Sequence, residues 1–186
     1  MVFVVIDGLD ASGKSTQAIR LSSFLRQSGR TVFLRIHPSD DNYFGVKAKH
    51  FLYLRGKRAH FAAAFFYMLD VLRSIISYSW QKYDYVFVRY LMGTAYLPSP
   101  LHKIAYHFFA SIVPTSNFMF FLDVEPEEAH RRIRLTRERR EMFESPKELE
   151  QVRRKALSLA LAGSWKIVDA DKPIAEVESE IRKSLC

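Results

Sequence analysis

The run Gly8-Leu9-Asp10-Ala11-Ser12-Gly13-Lys14-Ser15-Thr16 fits the pattern G-x-x-x-x-G-K-[ST], and its flanks fit it too. Before it, Val2–Ile6 is apolar and β-branched, with the length of a buried parallel strand. After it, Gln17–Leu25 carries apolar residues at helical spacing. A strand that enters a glycine loop and leaves as a helix aims backbone N–H groups from the positive helix end at a phosphate. In that arrangement Lys14 reaches the β- and γ-phosphates and the Ser15 hydroxyl reaches Mg²⁺. Gly8, Asp10, Ala11, Ser12, Gly13 and Thr16 complete the cradle. The motif implies a nucleoside triphosphate site.

The rest of the chain alternates strand-like and helix-like segments. Strands are expected at Thr31–Ile36, Tyr83–Val88, Phe118–Leu122 and Lys166–Val168. Helices are expected at Phe44–Leu54, His60–Trp80, Leu101–Ile112, Pro126–Arg137, Pro146–Leu161 and from Pro173 onward. Strands joined by helical crossovers imply an α/β fold, here a P-loop NTPase three-layer sandwich of about five parallel strands with helices on both faces. Ligands in such sheets lie beyond the carboxyl ends of the strands. That places Gly8–Ser15, Arg35–Asn42, Arg89–Tyr96 and Asp123 on one rim. The helix at His60–Trp80 is apolar almost all round, which reads as a central, buried helix.

With 186 residues, no internal repeat and no Gly/Ser linker, residues 1–186 are expected to form a single domain. The one cysteine, Cys186, rules out an internal disulfide and fits a reducing, cytoplasmic setting. No secretory leader pattern is present, and Asp70 and Arg73 interrupt the apolar stretch Phe61–Ile76, which argues against a membrane span. The formal charge of +8 favours polyanionic ligands. Much of it lies in Arg131–Arg140, where six arginines on one helix would fan around the whole axis. That distribution suits a lid closing over a triphosphate rather than a nucleic-acid patch.

Asp7–Gln17 resembles the opening E-G-x-D-G-x-G-K-S-T-Q of the thymidylate kinase family. Leu122-Asp123-Val124-Glu125-Pro126-Glu127-Glu128-Ala129 resembles the family's L-D-V-x-P-E-x-A segment. The arginine-rich stretch up to Phe143-Glu144 is similar to its lid, and Val168-Asp169-Ala170 to its ending. The resemblance implies ATP- and Mg²⁺-dependent phosphoryl transfer to a nucleoside monophosphate, dTMP in the family, under a lid at about 131–144. Such transfer needs positioning and charge neutralisation and no protein nucleophile. By resemblance the catalytic groups are Lys14, Arg89 and lid arginines, with Arg137 and Arg139 as candidates. Asp10 would lie near the acceptor sugar, with Arg89 on its phosphate and Tyr90 and Tyr96 as further contacts. A homodimer as in the family and a monomer core both suit the apolar helices.

Three departures bear on the site. The family's Asp-Arg-[Tyr/His] is here Val88-Arg89-Tyr90, so metal binding has to lean on Ser15 and Asp7. In the central helix the best register puts Tyr67 at the position that stacks on the base, and Val71 where an arginine would read it. Arg73 lies about 200° round the helix from Val71 and cannot simply substitute. Asp70 and Arg73, three apart, either pair with each other or face substrate. The family's Arg-Glu-Pro is here Arg35-Ile36-His37-Pro38, which sets Arg35 and His37 at the acceptor rim. These losses keep two other readings open: a kinase of the same fold with a different nucleotide, nucleoside or small-metabolite acceptor, and a non-catalytic ATP- or nucleic-acid-binding protein.

Overall fold

The computed structural model describes residues 1–54, 56–78, 82–136 and 144–185. Its strands β1 (Phe3–Gly8), β2 (Val32–Ile36), β3 (Asp84–Val88), β4 (Phe118–Asp123) and β5 (Trp165–Asp169) form one parallel sheet. The strand order is β2-β3-β1-β4-β5. The three central strands are apolar on both faces: Val4, Val5 and Ile6 of β1, Val86 and Val88 of β3, and Phe120, Phe121 and Leu122 of β4 are sealed from solvent. At the edge, β5 buries Trp165 and Val168 and leaves Lys166, Ile167 and Asp169 outside.

The connecting helices are α1 (Lys14–Gln27), α2 (Tyr43–Leu52), α3 (Lys57–Tyr78), α4 (Leu101–Ile112), α5 (Pro126–Thr136), α6 (Pro146–Ala162) and α7 (Ile174–Lys183), with a 3₁₀ turn at Met92–Tyr96. Each follows the sequence pattern closely. At α6, Ser145 accepts from the Glu148 N–H while the Glu148 carboxylate accepts from the Ser145 N–H, a capping box followed by proline in the first turn.

The long helix α3 departs from expectation. It is buried along one stripe, including Ala59, Ala63, Tyr67, Met68, Val71 and Ser74, and not all round. Phe61, Phe65 and Ile76 stand 46%, 60% and 68% exposed. A single helix wall covers the sheet on one side only, so an all-apolar helix leaves an apolar face outward. By length and hydropathy Arg58–Tyr78 could cross a membrane, but here the stripe of Met68 and Val71 belongs to the same core as the sheet.

A buried polar network fixes α2 and α3 to the end of β2. The Asp70 carboxylate, fully enclosed, accepts from the Ser39 N–H (2.7 Å), the Ser39 hydroxyl (2.6 Å) and the Asn42 amide (2.7 Å). Asn42 in turn caps α2, accepting from the N–H groups of Phe44 (2.9 Å) and Gly45 (3.1 Å). Arg35 clamps Asp41 with two bonds (2.7 and 2.8 Å) and also donates to Ser39 (2.9 Å) and Ser74 (3.0 Å). The Asp70–Arg73 pairing considered from sequence is therefore not made: Asp70 is committed to the loop, and the buried Nη1 of Arg73 has no hydrogen-bond partner.

His37 is fully enclosed in this network. Its Nδ1 faces the carbonyls of Val88 (3.3 Å) and Arg89 (3.1 Å) and so carries the hydrogen, while Nε2 lies 3.0 Å from the Ser74 hydroxyl. Burial pushes the His37 pKa down to about 4, with the Arg35 charge acting in the same direction and Asp70 against it. An unfolded histidine titrates near 6.5, so the unfolded chain binds the extra proton first as pH falls. The stability this group protects is complete above about 6.5 and lost as pH falls toward 4, on the order of 3 kcal/mol in all. Thermal melting of the wild type should therefore drop more steeply between pH 7 and 4.5 than that of His37→Asn. Parallel curves would assign the acid sensitivity to other groups.

Candidate active site

The loop between β1 and α1 is built to face an anion. Gly13, left-handed at φ 88°, is the N-cap of α1, and no side chain caps the helix, so its first N–H groups turn toward the loop. Gly8 lies so close to β4 that a Cβ there would strike the Leu122 carbonyl and sit 2.8 Å from Ser12 Oγ. That Ser12 hydroxyl is buried without a hydrogen-bond partner. Lys14 is 4% exposed and bridges the loop by donating to the Leu9 carbonyl. An uncapped helix start, an unsatisfied buried hydroxyl and a lysine around bare backbone together fit phosphate.

A cleft opens over this loop. It is lined by residues 11–17, by Arg131 and Arg132 of α5 and by the 170–174 connection before α7. Ser15 and Thr16 are exposed there. Arg132 knits its walls, donating to Glu128 (2.7 Å), to the Ala170 carbonyl (3.1 Å) and to the Ala11 carbonyl (3.4 Å). Arg131 pairs with Glu128 at 2.6 Å. Arg137 and Arg139, with most of the expected lid, lie outside the described residues.

A second cavity adjoins the first. Asp7 and Asp10 line it beside Arg89, Gly93 and Tyr96, and its far wall is Pro38 with Ala48 and Leu52 of α2 and the near face of α3. Arg89 lines both cavities. It follows β3 in a left-handed conformation (φ 57°), as does Ala11 (φ 58°) in the phosphate loop. Non-glycine residues held there are strained and concentrate at functional sites. Arg89 pairs with Asp10, which also accepts from the Tyr96 hydroxyl at 3.3 Å.

Asp7 holds this geometry from below. Its Oδ2 accepts from the N–H groups of Tyr90 (2.8 Å) and Met92 (3.1 Å), and its Oδ1 from Gly8 (3.1 Å). Burial raises its pKa, against those bonds and the Lys14 charge. A carboxylate so occupied is wired to the backbone of the phosphate loop and of the turn after β3.

Several expected contacts are relocated. Val71 is sealed in the core, while Tyr67 lines the cavity together with His60, Ala63 and Ala64 from the preceding turns of α3. The Tyr67 ring packs on Gly93, where any Cβ would collide with it, and its hydroxyl is 3.4 Å from the Tyr90 carbonyl. Arg35 and His37 turn inward, leaving Pro38 as their loop's contribution to the wall. Tyr90 is fully buried and donates to the Pro114 carbonyl at 2.9 Å. Arg73 lines neither cavity. Asp123, expected at the rim, is clamped by Arg153 at 2.7 and 2.9 Å. Sequence reasoning missed His60, which lines the second cavity.

The sequence profile described as thymidylate kinase matches residues 6–181. The chain belongs to the thymidylate kinase family. It is 30% identical over 181 residues to a probable thymidylate kinase of Metallosphaera sedula, covering 96% of this chain and 89% of the relative. A probable thymidylate kinase of Pyrobaculum calidifontis is 29% identical over 188 residues, covering 97% and 93%. The fold matches the thymidylate kinase of Candida albicans with a TM-score of 0.76 at 20% identity, over 98% of this chain and 89% of that one. Membership of the thymidylate kinase family makes the chain a nucleotide kinase that phosphorylates nucleoside monophosphates.

In this kinase Lys14→Ala should lower turnover by about 10²–10³-fold, the usual loss for one electrostatic clamp on a transferring group. Circular dichroism should show the fold retained. Near-normal turnover by a folded variant would remove Lys14 from the chemistry.

Proposed function

We propose that the chain transfers the γ-phosphoryl group of ATP to dTMP. The observation that carries the reading is Arg89, which lines both cavities where the phosphate loop forms their common wall. A triphosphate on residues 8–15 and a monophosphate held by Arg89 would meet at that guanidinium, which neutralises charge as the phosphoryl moves. Lys14 serves the same end from the loop. Asp10, already paired with Arg89 and Tyr96, orients both for the acceptor's sugar and phosphate. The names of the relatives, probable thymidylate kinases, favour dTMP.

Among the described residues no cluster of three or more acidic, histidine or cysteine side chains could hold a metal. Mg²⁺ would be held by the exposed Ser15 hydroxyl together with the phosphates themselves, with Asp7 the carboxylate at the end of β1, and would supply further charge neutralisation. The single cysteine supports a reducing, cytoplasmic setting for that reaction.

ADP release from ATP and Mg²⁺ should be stimulated by dTMP in a panel of nucleoside monophosphates and nucleosides. Arg89→Ala should raise the KM of the acceptor far more than that of ATP. Stimulation by a nucleoside or another small metabolite alone would replace dTMP with that acceptor.

We also infer that a second copy covers the outer face of α3 and α4. Phe61, Phe65, Ile104 and Phe108 are 46–61% exposed there around an apolar groove, and two such faces related by a two-fold axis bury like against like. Sedimentation should show a dimer that Phe65→Asp converts to monomer; a monomeric wild type at micromolar concentration would exclude it.

A further inference from the structure

The acceptor cavity follows one face of α3. His60, Ala63, Ala64 and Tyr67 recur at i, i+3, i+4 and i+7, and all four line it. Tyr67 stands at the inner end, against Gly93 and near Arg89. His60 is two turns away, about 10 Å along the helix axis. The inner end holds Asp7, Asp10, Arg89 and Tyr96, and the Tyr67 hydroxyl is turned toward the Tyr90 carbonyl. The apolar lining is Pro38, Ala48, Leu52 and the two alanines, which lie on α3 between Tyr67 and His60. Among the described lining residues, His60 is the polar side chain at the far end. An acceptor with its phosphate on Arg89 would extend its base between apolar walls toward that imidazole.

We infer that His60 hydrogen-bonds the polar edge of the acceptor's base and makes the site accept keto and amino pyrimidines alike. The inference rests on the phosphoryl-acceptor reading of this cavity. A neutral imidazole carries one N–H and one lone pair, and the two nitrogens exchange roles with the tautomer. It can donate to the 4-oxo group of thymine or accept from the 4-amino group of cytosine. An arginine at such a position only donates and so selects the keto base. Burial lowers the His60 pKa, with Lys155 acting in the same direction and Glu148 against it, which favours the neutral ring.

Two measurements test this on the full chain. At fixed neutral pH, the imidazole proton resonance of His60, assigned by its loss in His60→Gln, should shift on saturation with dTMP and with dCMP. It should stay put with 2-deoxyribose 5-phosphate, which has the sugar and phosphate but no base. In kinetics, wild-type kcat/KM for dTMP and dCMP should lie within about 10-fold of each other, the range apolar contacts and a switchable group allow. His60→Ala should lower both by roughly 10-fold, one lost hydrogen bond, with the KM of ATP unchanged as the control for folding. His60→Arg should raise the dTMP:dCMP ratio. An equal shift with the abasic sugar phosphate, or unchanged acceptor kcat/KM in His60→Ala, overturns the role of His60 while leaving the kinase reading intact. A wild-type preference for dTMP above about 10³-fold overturns the breadth claimed here. Failure of every monophosphate to release ADP overturns the acceptor reading itself, and this inference with it.

Discussion

Everything at the active site hangs on a carboxylate that spends its hydrogen bonds on the backbone. Asp7 sits at the end of the central strand, almost without solvent, and reaches across to two N–H groups in the turn after β3. A buried charge is tolerated where it is hydrogen-bonded on every side, and each buried donor left without a partner costs about 1–3 kcal/mol. The turn consequently has one low-energy path. That path forces Arg89 into its left-handed conformation, between the phosphate loop on one side and the acceptor cavity on the other. Phosphate loop and acceptor arm are two ends of one hydrogen-bonded unit, and their spacing is set before any ligand arrives.

A second layer of buried charge works the same way one strand further out. Arg35, Asp70, Ser39, Ser74 and His37 satisfy one another and lock the loop after β2 onto α3. The result is architectural: α2 is capped, its cavity-facing Ala48 and Leu52 are placed, and Pro38 is presented at the wall. Charged side chains near a nucleotide site need not touch nucleotide, and here the ones closest in sequence to the expected acceptor contacts spend their hydrogen bonds on the scaffold.

That division explains what could be read from the sequence. The five strands, the order of helices and the phosphate loop were legible because their signals are local: apolar runs of strand length, glycines at fixed offsets, caps beside them. The face of α3 was not. A helix with apolar residues all round carries no periodicity to mark which side meets the substrate, so the Tyr67–Val71 register was set by analogy; Tyr67 lines the cavity, while Val71 is sealed in the core. His60 lay before the apolar run, and only the course of the cavity along the helix gives it a place. Arg35 and His37 looked like substrate contacts because polar residues on a rim usually are. Whether such residues point in or out depends on partners about 30–50 positions away, such as Ser74 and the Val88 carbonyl, which no local pattern contains.

Ala64 and Gly93 line both the acceptor cavity and the apolar groove on the outer surface between α3 and α4. The partition separating them is, at those points, a single methyl group and a bare backbone. A wall that thin cannot be shaped for one side alone: any added bulk that narrows the substrate space also reshapes the outer face. Substrate choice and whatever covers that face are therefore drawn from the same few atoms, and a change selected for one is felt at once by the other.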